Sequence, residues 1–230
     1  MKAIILAAGK GERMMPLTHD TPKPLLVVAG KTILDHIFEA LPPEIDEAVI
    51  VIRYLGEKIK AYCGDTFHGR KIYYAEGSEK GNAFSFLAAK EFVKPNERIL
   101  ILYADEIPTR ENIEKCLAYQ YSWLCKETSR PHATGIAQFR PDGTIEAIIE
   151  KPANPPSRIA AIGTMVMDGG VFAYEPIVHP NGEYYLTNLL NQFLKKNMVY
   201  AVMNEGIAES RSITKPEDIP VLEKFLMREV

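Results

Sequence analysis

The chain has 230 residues, of which 47% are hydrophobic and 25% charged, and its formal net charge is −3. A chain of this length forms one large or two small domains and buries enough surface to fold without disulfides. Its three cysteines cannot all pair and show no Cys-x-x-Cys spacing, which excludes a disulfide scaffold and a cysteine-rich zinc site. The charge balance argues against a nucleic-acid-coating protein, and no apolar run approaches the ~20 residues of a membrane span. We therefore expect a soluble cytoplasmic protein.

The first half of the sequence alternates short apolar runs with helical patterns. The predicted strands are 2–7, 47–53, 71–75 and 98–103, and the predicted helices are 32–41, 56–62, 82–92 and 111–121. Strands that alternate with helices are typical of βαβ units, in which parallel strands are joined by right-handed crossovers.

The second half of the sequence has a different pattern. The turn signal Pro141-Asp142-Gly143 lies between two apolar segments, 132–139 and 144–149, and predicts an antiparallel hairpin. Further strands are predicted within 161–173 and at 199–203, and further helices at 185–195 and 216–228. We predict an α/β fold: a Rossmann-like three-layer sandwich with a mixed, mostly parallel sheet and an inserted antiparallel lobe.

The first predicted strand leads directly into the glycine loop Ala8–Arg13. Glycines let backbone N–H groups approach a phosphate, and Lys10 and Arg13 add positive charge to a segment, residues 1–31, that holds five basic and two acidic residues. Five residues after its first glycine, a Walker loop has Gly-Lys-Ser/Thr and the Rossmann fingerprint has its third glycine. Met14 stands at that position here, so the loop matches neither motif. The loop alone leaves an anion site and a plain strand-exit turn open.

A longer pattern surrounds this loop. Residues 4–31 carry, in order, Gly9-Lys10-Gly11-Glu12-Arg13, Pro16-Leu17-Thr18, Pro22-Lys23-Pro24 and Gly30-Lys31. This order closely resembles the signature of the sugar-1-phosphate nucleotidyltransferases. Later segments match motifs of the same family: Lys80-Gly81-Asn82-Ala83, Leu102-Tyr103-Ala104-Asp105, Glu150-Lys151-Pro152, Ser157, Ile162-Gly163 and Gly182-Glu183-Tyr184-Tyr185-Leu186-Thr187. The similarity covers essentially the whole chain and implies one nucleotidyltransferase domain, 1–230, with a nucleotide-binding half (1–125) and a sugar-phosphate-binding half (126–230).

The resemblance implies an enzyme of EC 2.7.7 type that transfers a nucleoside monophosphate from an NTP to a sugar 1-phosphate or similar phosphomonoester, with Mg²⁺ as cofactor. It assigns Arg13 to the triphosphate and leaving group, Lys23 to the α-phosphate and Asp105 to the metal. The nucleotide-binding residues that it implies are Leu6, Ala8, Gly9, Gly11, Glu76, Gly81 and Asn82. The sugar-phosphate-binding residues that it implies are Glu150, Lys151, Gly163, Glu183 and Thr187.

The sequence departs from the family pattern at three positions. Ala104 replaces the glycine before the metal aspartate, Ser212 stands where the family has a second metal aspartate, and Asn188 replaces a common aspartate. These changes motivate an alternative: a catalytically weakened homologue that binds a nucleotide or nucleotide-sugar as a regulatory subunit. A dinucleotide-dependent oxidoreductase is disfavoured by the glycine loop.

The base is predicted from two features. Glu76 stands where uridylyl- and thymidylyltransferases carry a base-reading glutamine, and a carboxylate only accepts hydrogen bonds. Residues 79–85 resemble a Lys-Gly-Asn-x-Tyr-Ser stretch of cytidylyltransferases that act on polyol phosphates. Both features favour CTP, with UTP, dTTP and GTP left open. The sequence does not identify the sugar, and it is compatible with a homo-oligomer.

Overall fold

The structure is a computed structural model that describes residues 1–204 and 211–227. Its strands are β1 (Lys2–Ala7), β2 (Val27–Val28), β3 (Lys31–Thr32), β4 (Glu47–Ile52), β5 (Thr66–Phe67), β6 (Arg70–Glu76), β7 (Arg98–Tyr103), β8 (Ser122–Glu127), β9 (Gly135–Phe139), β10 (Ile145–Glu150), β11 (Ile159–Asp168) and β12 (Tyr200–Met203). Its α-helices are α1 (Ile33–Ala40), α2 (Gly56–Cys63), α3 (Asn82–Leu87), α4 (Arg110–Leu117), α5 (Leu186–Leu194) and α6 (Asp218–Leu226). Short 3₁₀ helices include Glu12–Met14 and Lys23–Leu25.

Within the described residues, ten strands form one sheet with the order β10-β9-β11-β7-β1-β4-β6-β5, and β8 joins β11 to β12. The strands β7, β1, β4 and β6 are parallel, whereas β11 runs antiparallel to β7. The predicted hairpin is β9–β10, which continues the same sheet. The expected α/β fold is therefore confirmed.

Helices cover both faces of the sheet because successive side chains of its central strand point to opposite sides. Ile5 of β1 packs in a core cluster with α1, α2 and α4, and Ile4 packs in a second cluster with α3 and α5. Both isoleucines are fully buried, as expected for a parallel strand covered on each face. This arrangement forms the three predicted layers. None of the described helices combines the length and apolar character needed to cross a membrane.

Three predicted helices differ from the structure by two or more residues at one end. Of the helix predicted at 82–92, Asn82–Leu87 is α-helical and Ala88–Phe92 continues as a 3₁₀ helix. The helix predicted at 111–121 ends at Leu117, and the following segment is strand β8, which the sequence analysis did not predict. Trp123 of β8 is buried, and its indole N–H donates to the Ile162 carbonyl oxygen (2.9 Å). Pairing with β11 and β12 therefore determines the conformation of this segment. The periodicity of the local sequence carries no information about these pairings.

The last helix begins at Asp218 rather than at residue 216. The Asp218 carboxylate accepts hydrogen bonds from the backbone N–H groups of Thr214 and Lys215 (2.7 and 2.9 Å), so the preceding residues form a turn. The predicted end of this helix, at 228, lies outside the described residues.

Candidate active site

A cavity of about 850 Å³ opens at the carboxyl ends of the central parallel strands. The chain passes from β1 to β4 on one side of β1, and β7 lies on the other side. Open α/β sheets bind ligands at such a reversal of strand order, because the loops that follow the two strands separate there. The cavity is lined by residues that follow β1, β4, β6 and β7, including the glycine loop.

The conformation of the glycine loop depends on Gly11. Its φ angle is 63°, and a Cβ atom added there would lie 3.1 Å from Cγ2 of Thr18 and 3.3 Å from Cβ of Lys23. The Thr18 hydroxyl donates to the Gly11 carbonyl oxygen (2.8 Å). Gly11 therefore lets the chain turn and lets the Lys23 side chain approach the loop. Arg13 follows in a 3₁₀ helix, exposed at the edge of the cavity.

Among the residues that the structure describes, four cationic side chains line the cavity, and three of them are paired with carboxylates. The pairs are Lys10–Glu12 (3.9 Å), Lys23–Asp105 (3.0 Å) and Arg53–Glu79. Within residues 1–204 and 211–227, Arg13 is the cavity-lining cation that has no carboxylate within ion-pair distance. One positive charge is therefore in excess, and this charge balance favours a polyanionic ligand.

The Lys23–Asp105 pair joins the loop after β1 to the end of β7. Pro22 and Pro24 flank Lys23, whose side chain is 12% exposed, and the Asp105 side chain is 41% exposed. The Ala104 N–H donates to the Leu6 carbonyl oxygen (3.1 Å), which holds the two strand ends together. Asp105 does not cap the next helix, because α4 begins at residue 110 behind Thr109, whose side chain accepts a hydrogen bond from the Asn112 N–H.

Ser212 lies beside the predicted metal ligand. The Ile213 N–H donates to the Asp105 carbonyl oxygen (2.8 Å), and Ser212 pairs with Glu106 in an isolated antiparallel bridge. Among the described residues there is no group of three or more His, Cys, Asp or Glu side chains with the spacing of a metal site. Mg²⁺ is commonly held by one or two carboxylates together with substrate phosphates and waters. The half-exposed Asp105 carboxylate therefore fits a metal that is bound together with a triphosphate.

The loop after β6 forms the opposite wall of the cavity. Glu76 is exposed at the end of β6 and is not among the described lining residues, whereas Ser78 and Gly81 are. The buried Ser85 hydroxyl accepts a hydrogen bond from the Ser78 N–H (3.0 Å). Gly81 has a φ angle of 128°, and a Cβ atom there would lie 2.7 Å from the Tyr184 carbonyl oxygen. Only glycine allows this close approach of the two segments.

Asn82 connects the nucleotide side to the segment that the sequence assigns to the sugar phosphate. Its side-chain oxygen accepts a hydrogen bond from the Leu186 N–H (2.7 Å) at the first residue of α5. Glu183 lies before this helix and Thr187 in its first turn, and no side chain caps the helix N-terminus.

The structure brings part of the predicted sugar-phosphate set together. The buried Thr187 hydroxyl donates to Glu150 Oε1 (2.9 Å). Lys151 Nζ donates to the Tyr185 hydroxyl (3.2 Å), and this hydrogen bond raises the pKa of Lys151. None of the five predicted sugar-phosphate residues is among the described residues that line the cavity. Leu6, Ala8, Gly9, Gly11, Arg13, Lys23, Gly81, Asn82 and Asp105 do line it.

Gly163 donates its N–H to Oε2 of Glu106 (2.8 Å), a residue that the sequence analysis did not select. The donor lies where the pairing of β11 with β8 shifts register, between Ala161 and Met165. Burial and the neighbouring Asp105 charge raise the pKa of Glu106 to about 7. The Gly163 amide is therefore hydrogen-bonded to a carboxyl group of its own chain.

Sequence reasoning also missed several residues that line the cavity, including Arg53, Ser78, Glu79, Ser85 and Tyr103. Arg53 and Tyr103 lie at the carboxyl ends of β4 and β7. The rule that ligands bind at these strand ends was a signal that could have selected both. The contact between Arg53 and Glu79 depends on the packing of two loops and has no local signal.

The fold is an α/β sheet with a cavity at the ends of its parallel strands, and the described lining residues carry an excess of positive charge. The chain belongs to the nucleotidyl transferase family, whose family model matches residues 2–209. A curated relative, the bifunctional protein GlmU of Methanocaldococcus jannaschii, is 31% identical over 232 residues, covering all of this chain and 55% of the relative. The chain thus spans about half the length of the GlmU relatives it matches.

Two further comparisons cover nearly full-length proteins. The UTP–glucose-1-phosphate uridylyltransferase AglF of Haloferax volcanii is 29% identical over 244 residues, covering all of this chain and 98% of that protein. The crystal structure of a putative glucose-1-phosphate thymidylyltransferase from Bacillus anthracis superposes with a TM-score of 0.84 at 24% identity, covering all of this chain and 96% of that one. The second comparison supports the fold.

Proposed function

We propose that this protein is an Mg²⁺-dependent nucleotidyltransferase that forms an activated NDP-sugar and pyrophosphate from an NTP and a sugar 1-phosphate or similar phosphomonoester. The observation that carries the proposal is the Lys23–Asp105 pair at the joined ends of β1 and β7, in the same cavity as Arg13, which has no carboxylate partner among the described residues. A glycine loop, cations and the Asp105 carboxylate around a single cavity suit a triphosphate with its metal. Family membership supports the same reaction.

In this reaction a phosphate oxygen of the acceptor attacks the α-phosphorus and forms a new P–O bond. The bond from the α-phosphorus to the bridging oxygen breaks, and pyrophosphate leaves with the electron pair. Because both reactants are polyanions, positioning and charge neutralisation supply most of the catalysis. Arg13 binds the leaving pyrophosphate through its planar guanidinium, and Lys23 neutralises the α-phosphate during transfer. Asp105 would hold Mg²⁺, and the bound ion would supply further neutralisation of the triphosphate charge.

The acceptor is assigned to the second half of the chain, residues 126–230. Lys151 binds its phosphate, and Glu150, Glu183 and Thr187 hydrogen-bond its hydroxyl groups. The bond between Thr187 and Glu150 supports this assignment, because it orients one carboxylate and leaves its other oxygen available as an acceptor. A hydroxyl group that approaches the Gly163 amide has to replace Glu106 as its partner.

For the base we propose CTP. Residues 79–85 carry the resemblance to CTP-using enzymes, and in the loop after β6 Glu79 lines the cavity whereas Glu76 does not. A carboxylate accepts hydrogen bonds and therefore suits the cytosine amino group. UTP, dTTP and GTP are the competing nucleotides, and UTP is the one in the name of the AglF relative.

The test is pyrophosphate release from each of the four NTPs with a panel of sugar 1-phosphates and polyol phosphates. We expect release that requires both substrates and Mg²⁺, is fastest with CTP, and is lost in Arg13→Ala. Nucleotide binding without release would favour the regulatory homologue that Ser212 motivates. Release from an NTP without any acceptor would contradict transfer to a phosphomonoester.

A further inference from the structure

The side chain of Lys23 has two places to bind. Its ammonium group contacts Asp105 Oδ2 (3.0 Å), and the two residues are 82 positions apart in the sequence. Its aliphatic stem packs against the glycine loop: a Cβ atom at Gly11 would lie 3.3 and 3.6 Å from Cβ and Cδ of Lys23. An anion bound at the glycine loop is therefore within reach of the same ammonium group.

The contact between Lys23 and Asp105 opposes the binding of a divalent metal ion. Oδ2 of Asp105 is directly engaged by a cation, and a divalent ion that binds this carboxylate has to displace the ammonium group or share the carboxylate with it. Either change opposes metal binding. Displacement leaves the ammonium group without its carboxylate partner, and sharing places the ammonium group next to the metal, where the two positive charges repel each other. Ser212 pairs with Glu106 where the family has a second metal aspartate, so the C-terminal segment adds no second carboxylate at that position.

We propose that Lys23 is the resident counterion of Asp105 and keeps the nucleotide-free protein from binding divalent metal ions. The inference rests on the proposed function, in which Asp105 is the metal ligand. When a triphosphate binds the glycine loop, it takes the Lys23 ammonium group and releases the carboxylate for the metal. Metal and triphosphate therefore strengthen each other's binding, and by linkage the two effects are equal. Lys23 acts here as a positioning residue for the order of binding, besides its contact with the α-phosphate.

The alternative explanation is general electrostatics, since removal of any positive charge from the cavity strengthens the binding of a cation. Lys10 provides the matched control. It lines the same cavity and carries the same charge, but its carboxylate neighbour is Glu12, at 3.9 Å. Lys10→Met removes one positive charge and leaves the contact with Asp105 intact.

The experiment measures Mn²⁺ binding to the full chain without nucleotide, by the loss of the electron paramagnetic resonance signal of free Mn²⁺. The variants are the wild type, Lys23→Met, Lys23→Arg, Lys10→Met and the double variant Lys23→Met with Asp105→Asn. We expect Lys23→Met to lower the Mn²⁺ Kd about tenfold, the effect of losing one competing contact. Lys10→Met should change it less than about threefold, because its charge is partly screened by solvent. Lys23→Arg should remain close to the wild type, and the double variant should lose the gain.

Equal shifts in Lys23→Met and Lys10→Met, or no shift in either, would overturn the proposal, as would a gain that persists in the double variant. A melting curve is recorded for each variant, and Lys23→Gln replaces Lys23→Met if the latter melts at a lower temperature than the wild type. Pyrophosphate release is assayed separately. A gain in Mn²⁺ affinity in Lys23→Met, together with a wild type that releases no pyrophosphate, would support the counterion role while the proposed function fails. Turnover by the wild type, without a gain in Mn²⁺ affinity in Lys23→Met, would overturn the counterion role alone.

Discussion

At the scale of single residues, the candidate site depends on which cations are already paired. Lys23 contacts Asp105, and Arg53 contacts Glu79, whereas Arg13 has no such partner among the described lining residues. In the proposed function, an entering triphosphate therefore meets Arg13 directly but has to exchange with a carboxylate at Lys23. This difference separates the expected effects of replacing the two residues.

Lys23→Ala is expected to lower kcat by on the order of 10²-fold or more, because the α-phosphate loses a positioned cation in the transition state. Stability should change little, since Asp105, left without its partner, is half-exposed and can be hydrated. The measurements are steady-state kinetics and thermal melting, with Arg13→Ala as the comparison. Full turnover in Lys23→Ala would remove Lys23 from the mechanism.

Ser212→Asp is expected to lower the half-saturating Mg²⁺ concentration and to raise turnover. Ser212 pairs with Glu106, next to Asp105, so a carboxylate introduced there adds a second hard ligand to the metal. The assay is a Mg²⁺ titration at saturating NTP, and Ser212→Asn is the control of similar size without the charge. If neither quantity changed in Ser212→Asp, the side chain at 212 would not reach the metal.

At the scale of secondary-structure elements, α1 is closed at its N-terminus by a capping box. The Thr32 hydroxyl accepts from the Asp35 N–H (3.1 Å), and the Asp35 carboxylate accepts from the Thr32 N–H (2.9 Å). The same carboxylate also accepts from the Tyr62 hydroxyl of α2 (2.7 Å) and contacts the His68 ring (3.0 Å). One side chain thus joins α1 to the α2–β6 region.

Stability should fall in acid through this carboxylate. Burial alone would raise the pKa of Asp35, but its hydrogen bonds with Thr32, His68 and Tyr62 outweigh burial and hold the pKa at about 2, below the usual 3.8. A carboxyl group with a lowered pKa in the folded state stabilises it above pH ~4, and this contribution is lost as the pH falls from about 4 to 2. The free energy of unfolding of the wild type should therefore decrease across that interval.

The comparison variant is Asp35→Asn, which keeps the shape of the side chain and removes the charge. It should be less stable than the wild type at pH 7 by on the order of 1 kcal/mol, the difference between charged and neutral hydrogen bonds. Urea unfolding at several pH values should show this difference shrinking towards pH 2. Asp65→Asn, at an exposed position after α2, is the control. A constant difference at all pH values would contradict the role of the Asp35 charge.

At the scale of the whole molecule, the sheet brings distant parts of the chain to one edge. Arg13 and Lys23 follow β1, Arg53 follows β4, Asp105 follows β7, and the segment at Ser212 pairs beside Asp105. These positions span most of the sequence, so the site exists only when the sheet is formed. The three cysteines give an independent measure of that folded state.

Thiol reactivity should report global unfolding. Cys63, Cys116 and Cys125 lie in three different elements and are buried, and burial raises the pKa of each thiol to about 12. The thiolate is the reactive form, so none should react with a disulfide reagent at pH 8 in the folded protein. In urea all three should react, with a midpoint that coincides with the loss of circular dichroism. Rapid reaction of one thiol without urea would contradict its burial.

Much of the local structure was predictable from the sequence. The bounds predicted for β1 and β7 agree with the structure, and α1, α2 and α5 differ by one residue at either end or both. These segments have strong apolar periodicity and clear sequence signals at their ends, so local interactions agree with the tertiary fold. Strand β8 was missed because it is stabilised by pairing with β11 and β12, which are distant in the sequence.

The sequence by itself determined the α/β class, the glycine loop after β1 and the motif residues around it, since each depends on residue type and short spacing. The tertiary structure alone decided which of these residues meet. It paired Lys23 with Asp105 across 82 positions, brought Arg53 and Glu79 to the cavity in place of Glu76, and bonded the Gly163 amide to Glu106. Such contacts arise where packed strands end at one edge of a sheet, and neither the register of the strands nor the closeness of the loops is encoded in a local pattern.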